Sequence, residues 1–268
     1  MKSTAQAPIL MTNRRKGAAM DIIAKPMDAA EVSRHLDDLA ARHARAASPG
    51  LQVLNLIGGQ AENLLDRLPG PVRDRLDSAT VDALTRAMEA AHRSRGLVAE
   101  SPGWMTRALT TAMGAAGGWG GLPTALAELP ITTTILLRAI QDAAIEQGFS
   151  PEEQAVRFDC VQVFAAAGPL DHDDGADLAF LSTRLALTGT TMRAMIARVA
   201  PRLATVLGQK LAAQTVPVLG AAAGAATNYA YTSYYQQMAH VHFGLRRLAI
   251  ESGRDHADLV EAFRERLG

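Results

Sequence analysis

The chain has 268 residues, 27 basic and 27 acidic, and is 48% hydrophobic but only 4% aromatic. That hydrophobic share suffices for a sizeable core, and the cancelling charges exclude a global field that would draw in nucleic acid. The single Cys160 excludes an internal disulfide and a cysteine-based zinc site, and its apolar setting, VRFDCVQVFAA, is that of an inert core thiol in a reducing compartment.

Alanine, rather than Val, Ile, Tyr and Phe, supplies much of the hydrophobic content, which predicts an all-α protein. Residues 1–27 are expected to form a disordered tail. Its basic run Arg14-Arg15-Lys16 follows the mildly apolar Pro8-Ile9-Leu10-Met11, the reverse of an export signal, so a cytoplasmic location is expected. Asp28 and Glu31 have capping-box spacing and open a helix over 29–47, closed by Ser48-Pro49-Gly50. A second helical piece over 51–68 is interrupted at Gly58-Gly59, and Pro69-Gly70-Pro71 is a break. Val81, Leu84, Ala87, Met88 and Ala91 then recur at helical spacing until Gly96.

After Ser101-Pro102-Gly103 comes an uncharged stretch, 108–127, that turns at Gly117-Gly118-Trp119-Gly120-Gly121. A helix over 123–147 follows, with Pro123 in its first turn, Pro130 to kink or divide it and Gly148 to stop it. Ser150-Pro151-Glu152-Glu153 reads as the cap and first turn of another helix ending near Gly168-Pro169. An acidic loop, 171–177, leads into a helix over 178–199 that Pro201 breaks. Pro217 opens a helix in the second uncharged stretch, 211–239, and Asp255 caps a last amphipathic helix over 259–267. With no internal repeat or linker, the simplest division is one multi-helix domain over 28–268 with Gly/Ala-rich central helices; the alternative is a cut near 96–103.

Each uncharged stretch is long enough to reach across a bilayer, which takes about 20 residues, yet each is built from Ala, Gly and Thr. Gly114 and Gly118, Gly117 and Gly121, and Gly220 and Gly224 are spaced to put two hydrogens on one helix face, where another backbone can approach. A glycine inside a helix costs about 1 kcal/mol relative to alanine, so close contact, a turn or lipid must offset it. Either these helices touch a membrane or they pack a protein core. Asn228, Tyr229, Tyr231, Tyr234 and Tyr235 fit both readings, as an interfacial belt or as packed rings with hydrogen-bonded hydroxyls. The glycine turn 117–121 has neither the preceding strand nor the nearby lysine of a phosphate loop.

Three blocks, GGWGGLPTALAELPITTTILLRAIQDAAIEQGF, FDCVQVFA and VPVLGAAAGAATNYAYTSYYQQMAHVHFGLRRL, resemble the EcsC protein family. The family takes its name from a protein encoded beside an ABC transporter, so the resemblance implies an accessory or interaction protein, with a membrane surface or a membrane protein as partner. It implies no cofactor and no established reaction. The expected position is cytoplasmic, peripheral to or shallowly inserted in the inner membrane.

Two alternatives stand beside that reading. One is a soluble helical scaffold. The other is a metal-assisted hydrolase using Asp171, His172, Asp173 and Asp174, whose carboxylates suit a hard cation but equally suit a polar loop capping the next helix. The spacing excludes an EF-hand, because the glycine arrives one residue early and Ser182 stands where the closing Glu belongs. His240 and His242 lie two apart, roughly 200° around a helix, and are not expected to share a metal.

Overall fold

The computed structural model describes residues 27–46, 48–49, 65–94, 121–166, 179–182, 191–214 and 220–267. Among them the regular elements are all helical and no strand is present. Helix α1 spans Ala29–Ala46. The capping box forms as the spacing dictates: Asp28 N donates to Glu31 Oε2 at 3.0 Å and Glu31 N to Asp28 Oδ1 at 2.8 Å. Met27, placed in the tail by the sequence reading, packs against the core.

A 3₁₀ turn at Leu65–Arg67 precedes the break at Leu68 and Pro69, and the four-residue helix α2, Gly70–Arg73, begins with Pro71 in its first turn. Helix α3, Leu76–Ser94, buries Leu76, Thr80, Ala83, Leu84, Ala87 and Met88, the stripe its periodicity calls for.

Helix α4 spans Gly121–Glu146. Pro130 does not divide it: the helix runs on, and Thr134 Oγ1 donates to the Pro130 carbonyl at 2.7 Å. Its end is a Schellman motif. Gly148, at φ +82°, donates from its N–H to Ile145 O at 2.8 Å, and Phe149 N–H to Ala144 O at 2.9 Å. The reversal sends Phe149 back onto Phe243, 5.5 Å between ring centroids.

Helix α5 spans Gln154–Gln162 and tightens into a 3₁₀ turn at Val163–Ala165. Its N-cap is Glu153, not Ser150. The Ser150 hydroxyl instead accepts from Glu152 N at 3.4 Å and its carbonyl from Glu153 N at 3.0 Å, a separate turn before the helix. Helix α6, Ala179–Ser182, is tied to α5 by Gln162 Nε2 donating to the Phe180 carbonyl.

Helix α7, Met192–Gln214, holds Pro201 in its interior, so the expected break there is absent. The ring is exposed, and Thr205 Oγ1 donates to the Pro201 carbonyl at 3.3 Å. Helix α8, Gly220–Ser252, is the hub, packing against α1, α4, α7 and α9. Helix α9, His256–Arg264, is capped by Asp255, whose carboxylate accepts from Ala257 N at 2.8 Å. Helix α3 packs on α4 and α7, and α1 lies across α8 and α9.

Candidate binding pocket

The candidate site grows from the pairing of α1 with α8. The two run antiparallel, for Leu39 meets Gly244 while Arg42, one turn on, donates from Nη1 to Gln237 Oε1 at 2.8 Å. Gly244 sets how close they come. A Cβ there would stand 2.7 Å from Leu39 Cδ2, nearer than side-chain carbons settle.

Along this seam lies a pocket of about 390 Å³. His35, Asp38, Leu39, Arg42 and Arg45 line it from one face of α1. From α8 come His240, Gly244, Arg247, Leu248 and Glu251, and Gln147 closes it from the end of α4. Arg247 is held at two points, by Glu251 Oε1 on its Nε at 2.6 Å and by the Gln147 carbonyl on its Nη1 at 3.2 Å. His240 is buried, with Nε2 3.5 Å from Glu146 Oε2. Arg45 and Asp38 are exposed and have no hydrogen bond or ion pair among the described residues.

A second polar cluster lies on another side of α8. Arg246 donates to Asp159 Oδ2 from α5 and sets its guanidinium 4.7 Å from the centroid of Phe149. His242, buried, has Nε2 3.8 Å from Asp159 Oδ1 and stacks on Phe180 at 6.0 Å. His240 and His242 thus engage different carboxylates, as their angular separation requires. Among the described residues no three His, Cys, Asp or Glu converge as metal ligands.

The matching family model is that of the EcsC protein family, over residues 83–248. The chain belongs to the EcsC family. The EcsC segment runs from within α3 to within α8, so it contains the α8 wall of the pocket up to Leu248 and excludes α1. No curated protein and no solved structure matches the chain.

Of the residues that the sequence singled out, Gly114, Gly117, Gly118 and Gly120 lie outside the described residues, as do Asp171, His172, Asp173 and Asp174. Gly121 opens α4, Pro123 stands in its first turn and Pro130 is half-buried in its interior. Gly220 opens α8, with Gly224 one turn on. Asn228 and Tyr231 are buried, the Tyr231 hydroxyl donating to the Val206 carbonyl of α7 at 3.2 Å, and Tyr234 and Tyr235 are buried beside them. Tyr229 alone of the four tyrosines is exposed, at 44%.

Sequence reasoning missed the pocket. The charged residues of α1 carry no sign in their spacing that α8 lies against part of the helix. The available signal was Gly244 in HFGLRRL, a helix-interior glycine whose cost of about 1 kcal/mol implies a close neighbour.

Proposed function

We propose that this EcsC protein is a membrane-associated accessory or interaction protein, attached peripherally at the cytoplasmic face of the inner membrane and serving an ABC transporter or another membrane protein. The observation that carries the reading is the exposure of two large apolar side chains, Ile131 at 50% and Tyr229 at 44%, on long charge-poor runs of α4 and α8. Positions 121–137 of α4 carry only Glu128, and positions 220–237 of α8 carry no charge.

No helix among the described residues is long and apolar enough to cross a membrane, so attachment rests on shallow contacts of this kind. Burying the exposed half of each side chain, roughly 100 Å², contributes about 2.5 kcal/mol apiece at ~25 cal/mol per Å². The sum, ~5 kcal/mol, corresponds to a partition advantage of roughly a few thousandfold, no stronger than the marginal, reversible hold of one myristoyl chain. Such a protein exchanges between membrane and solution.

Flotation of the purified chain with lipid vesicles tests this. Wild type should divide between floating and soluble pools and be released by mild detergent, and Ile131→Ser with Tyr229→Ser should cut the floating pool at least about tenfold. Binding to native membranes but not to pure lipid would place the contact on a membrane protein. Full solubility with both would leave the second reading, a helical scaffold. That reading is favoured by the burial of Tyr231, Tyr234 and Tyr235 in the core of the bundle.

A further inference from the structure

We propose that the pocket between α1 and α8 binds a small organic phosphate. Three guanidiniums, from Arg42, Arg45 and Arg247, converge on one cavity from two helices. Arginine's planar fork matches the tetrahedral oxygens of a phosphate, and three of them supply more positive charge than a single carboxylate takes up.

Counted over the lining residues alone, arginines outnumber carboxylates. The lining carboxylates are Asp38 and Glu251, with His35 and His240 beside them. Glu251 is occupied by Arg247 Nε, and Glu146, just outside the lining, faces His240. The lining therefore holds three fixed positive charges against two negative ones, and Glu146 beyond it makes three of each, so an anion would be held by the directed guanidinium N–H groups rather than by net charge.

Two of the arginines are pre-positioned. Gln237 fixes one nitrogen of Arg42, while Glu251 and Gln147 O fix two of Arg247, leaving Nη2 of each for a ligand. Held in this way, their side chains lose little further freedom on binding. Arg45 is different: exposed and without a hydrogen bond or ion pair among the described residues, it is the side chain that closes onto the bound anion.

Size narrows the class. At about 390 Å³ the cavity falls in the range of small-molecule sites and has room beyond one phosphate for the body of an ester. Leu39, packed on Gly244, and Leu248 give that body an apolar wall. A soluble phosphate ester and the headgroup of an anionic phospholipid share this chemistry.

The test is calorimetric titration of the full chain with inorganic pyrophosphate and glycerol 3-phosphate, alongside flotation with phosphatidylglycerol vesicles and with neutral phosphatidylcholine vesicles. Saturable binding of the soluble anions is expected. Arg45→Glu should weaken it at least about tenfold, and Asp38→Asn should strengthen it about threefold. Both positions are exposed, so the variants should keep the wild-type helical circular dichroism.

Binding confined to phosphatidylglycerol vesicles, and lost in Arg45→Glu, would assign the headgroup as the source. Absence of saturable binding to every probe, or binding indifferent to Arg45→Glu, would overturn the proposal. Binding weakened by Asp38→Asn would do the same. Vesicle binding that survives Arg45→Glu but is abolished by Ile131→Ser with Tyr229→Ser, with no binding of the soluble anions, belongs to the apolar surface and also overturns it.

Discussion

Gly208 in α7 has leucine side chains crowded against it, and replacing it with alanine separates packing from helix propensity. A Cβ at that position would stand 2.5 Å from Leu65 Cδ2, 2.9 Å from Leu76 Cδ1 and 3.7 Å from Leu68 Cδ1. Propensity favours the change by about 1 kcal/mol. Overpacking opposes it by about 1–3 kcal/mol, and two leucines from different segments must shift together, Leu76 being buried and Leu65 half-buried. The upper part of that range applies, leaving a net loss of about 1–2 kcal/mol and a Tm lower by roughly 2–8 °C. Gly244→Ala, by contrast, meets only Leu39, a half-buried side chain free to turn aside, so the two terms nearly cancel. Gly70→Ala meets nothing within 4 Å and should be neutral. Calorimetry and urea denaturation followed by circular dichroism measure all three. A Gly208→Ala protein as stable as wild type, or a greater loss in Gly244→Ala, would refute the argument that close approach holds glycine at 208.

Asp28→Ala removes the acceptor for Glu31 N and the fixed geometry of the reciprocal bond, and should cost about 1 kcal/mol in urea denaturation, with Asp28→Asn close to wild type. Tyr231→Phe deletes a buried hydroxyl that donates to the Val206 carbonyl and should cost about 0.5–1.5 kcal/mol, whereas Tyr229→Phe, two residues away and exposed, should change stability by less than about 0.5 kcal/mol.

What could be read from the chain was chiefly local. The Asp28 and Glu31 capping box, the Gly148 stop and the Asp255 cap depend on residues within a turn of one another, and each forms in the fold. The in-helix prolines show where local rules fail. Pro130 and Pro201 lack an N–H and disfavour a continuing helix, but packing of α4 on α3 and α8, and of α7 on α3, α5 and α8, holds both helices through them. Each helix also places Thr four residues on, bonding back to the proline carbonyl. Ser150 likewise had the sequence of a helix cap, and the chain uses it in a turn three residues too soon.

The site was less legible because it is made by long-range pairing. His240 and Arg247 meet Glu146 and Gln147 about a hundred positions away, and Arg42 meets Gln237 at a separation of 195. Nothing in the spacing along α1 distinguishes a face that borders a pocket from one that borders water. The polar residues of α8 were ambiguous for a related reason. Thr227, Asn228, Thr232, Gln236, His240 and His242 alternate with alanines and tyrosines, so the helix has no single apolar stripe, and its contacts with several neighbours decide what is buried.

The division of the pocket between family and chain follows from where the family match ends. His240, Gly244, Arg247, Leu248 and Gln147 fall within residues 83–248; Asp38, Leu39, Arg42, Arg45 and Glu251 fall outside. The EcsC segment therefore supplies one wall and one fixed guanidinium, while α1 brings the other two arginines. α1 is docked by its buried stripe Val32, Leu36, Ala40 and Ala46 and, around it, by Leu39 on Gly244, Arg42 on Gln237, His43 edge-on to Phe263, and Arg266 on Asp37 and Ser33. An anion held between Arg247 on one side and Arg42 and Arg45 on the other would bridge the seam. Ligand at a hundred times its Kd adds about 2.7 kcal/mol to the state that binds it, more than a single one of those polar contacts contributes. On this reasoning the ligand acts as a clamp on α1, and its identity depends on residues that the family segment does not contain.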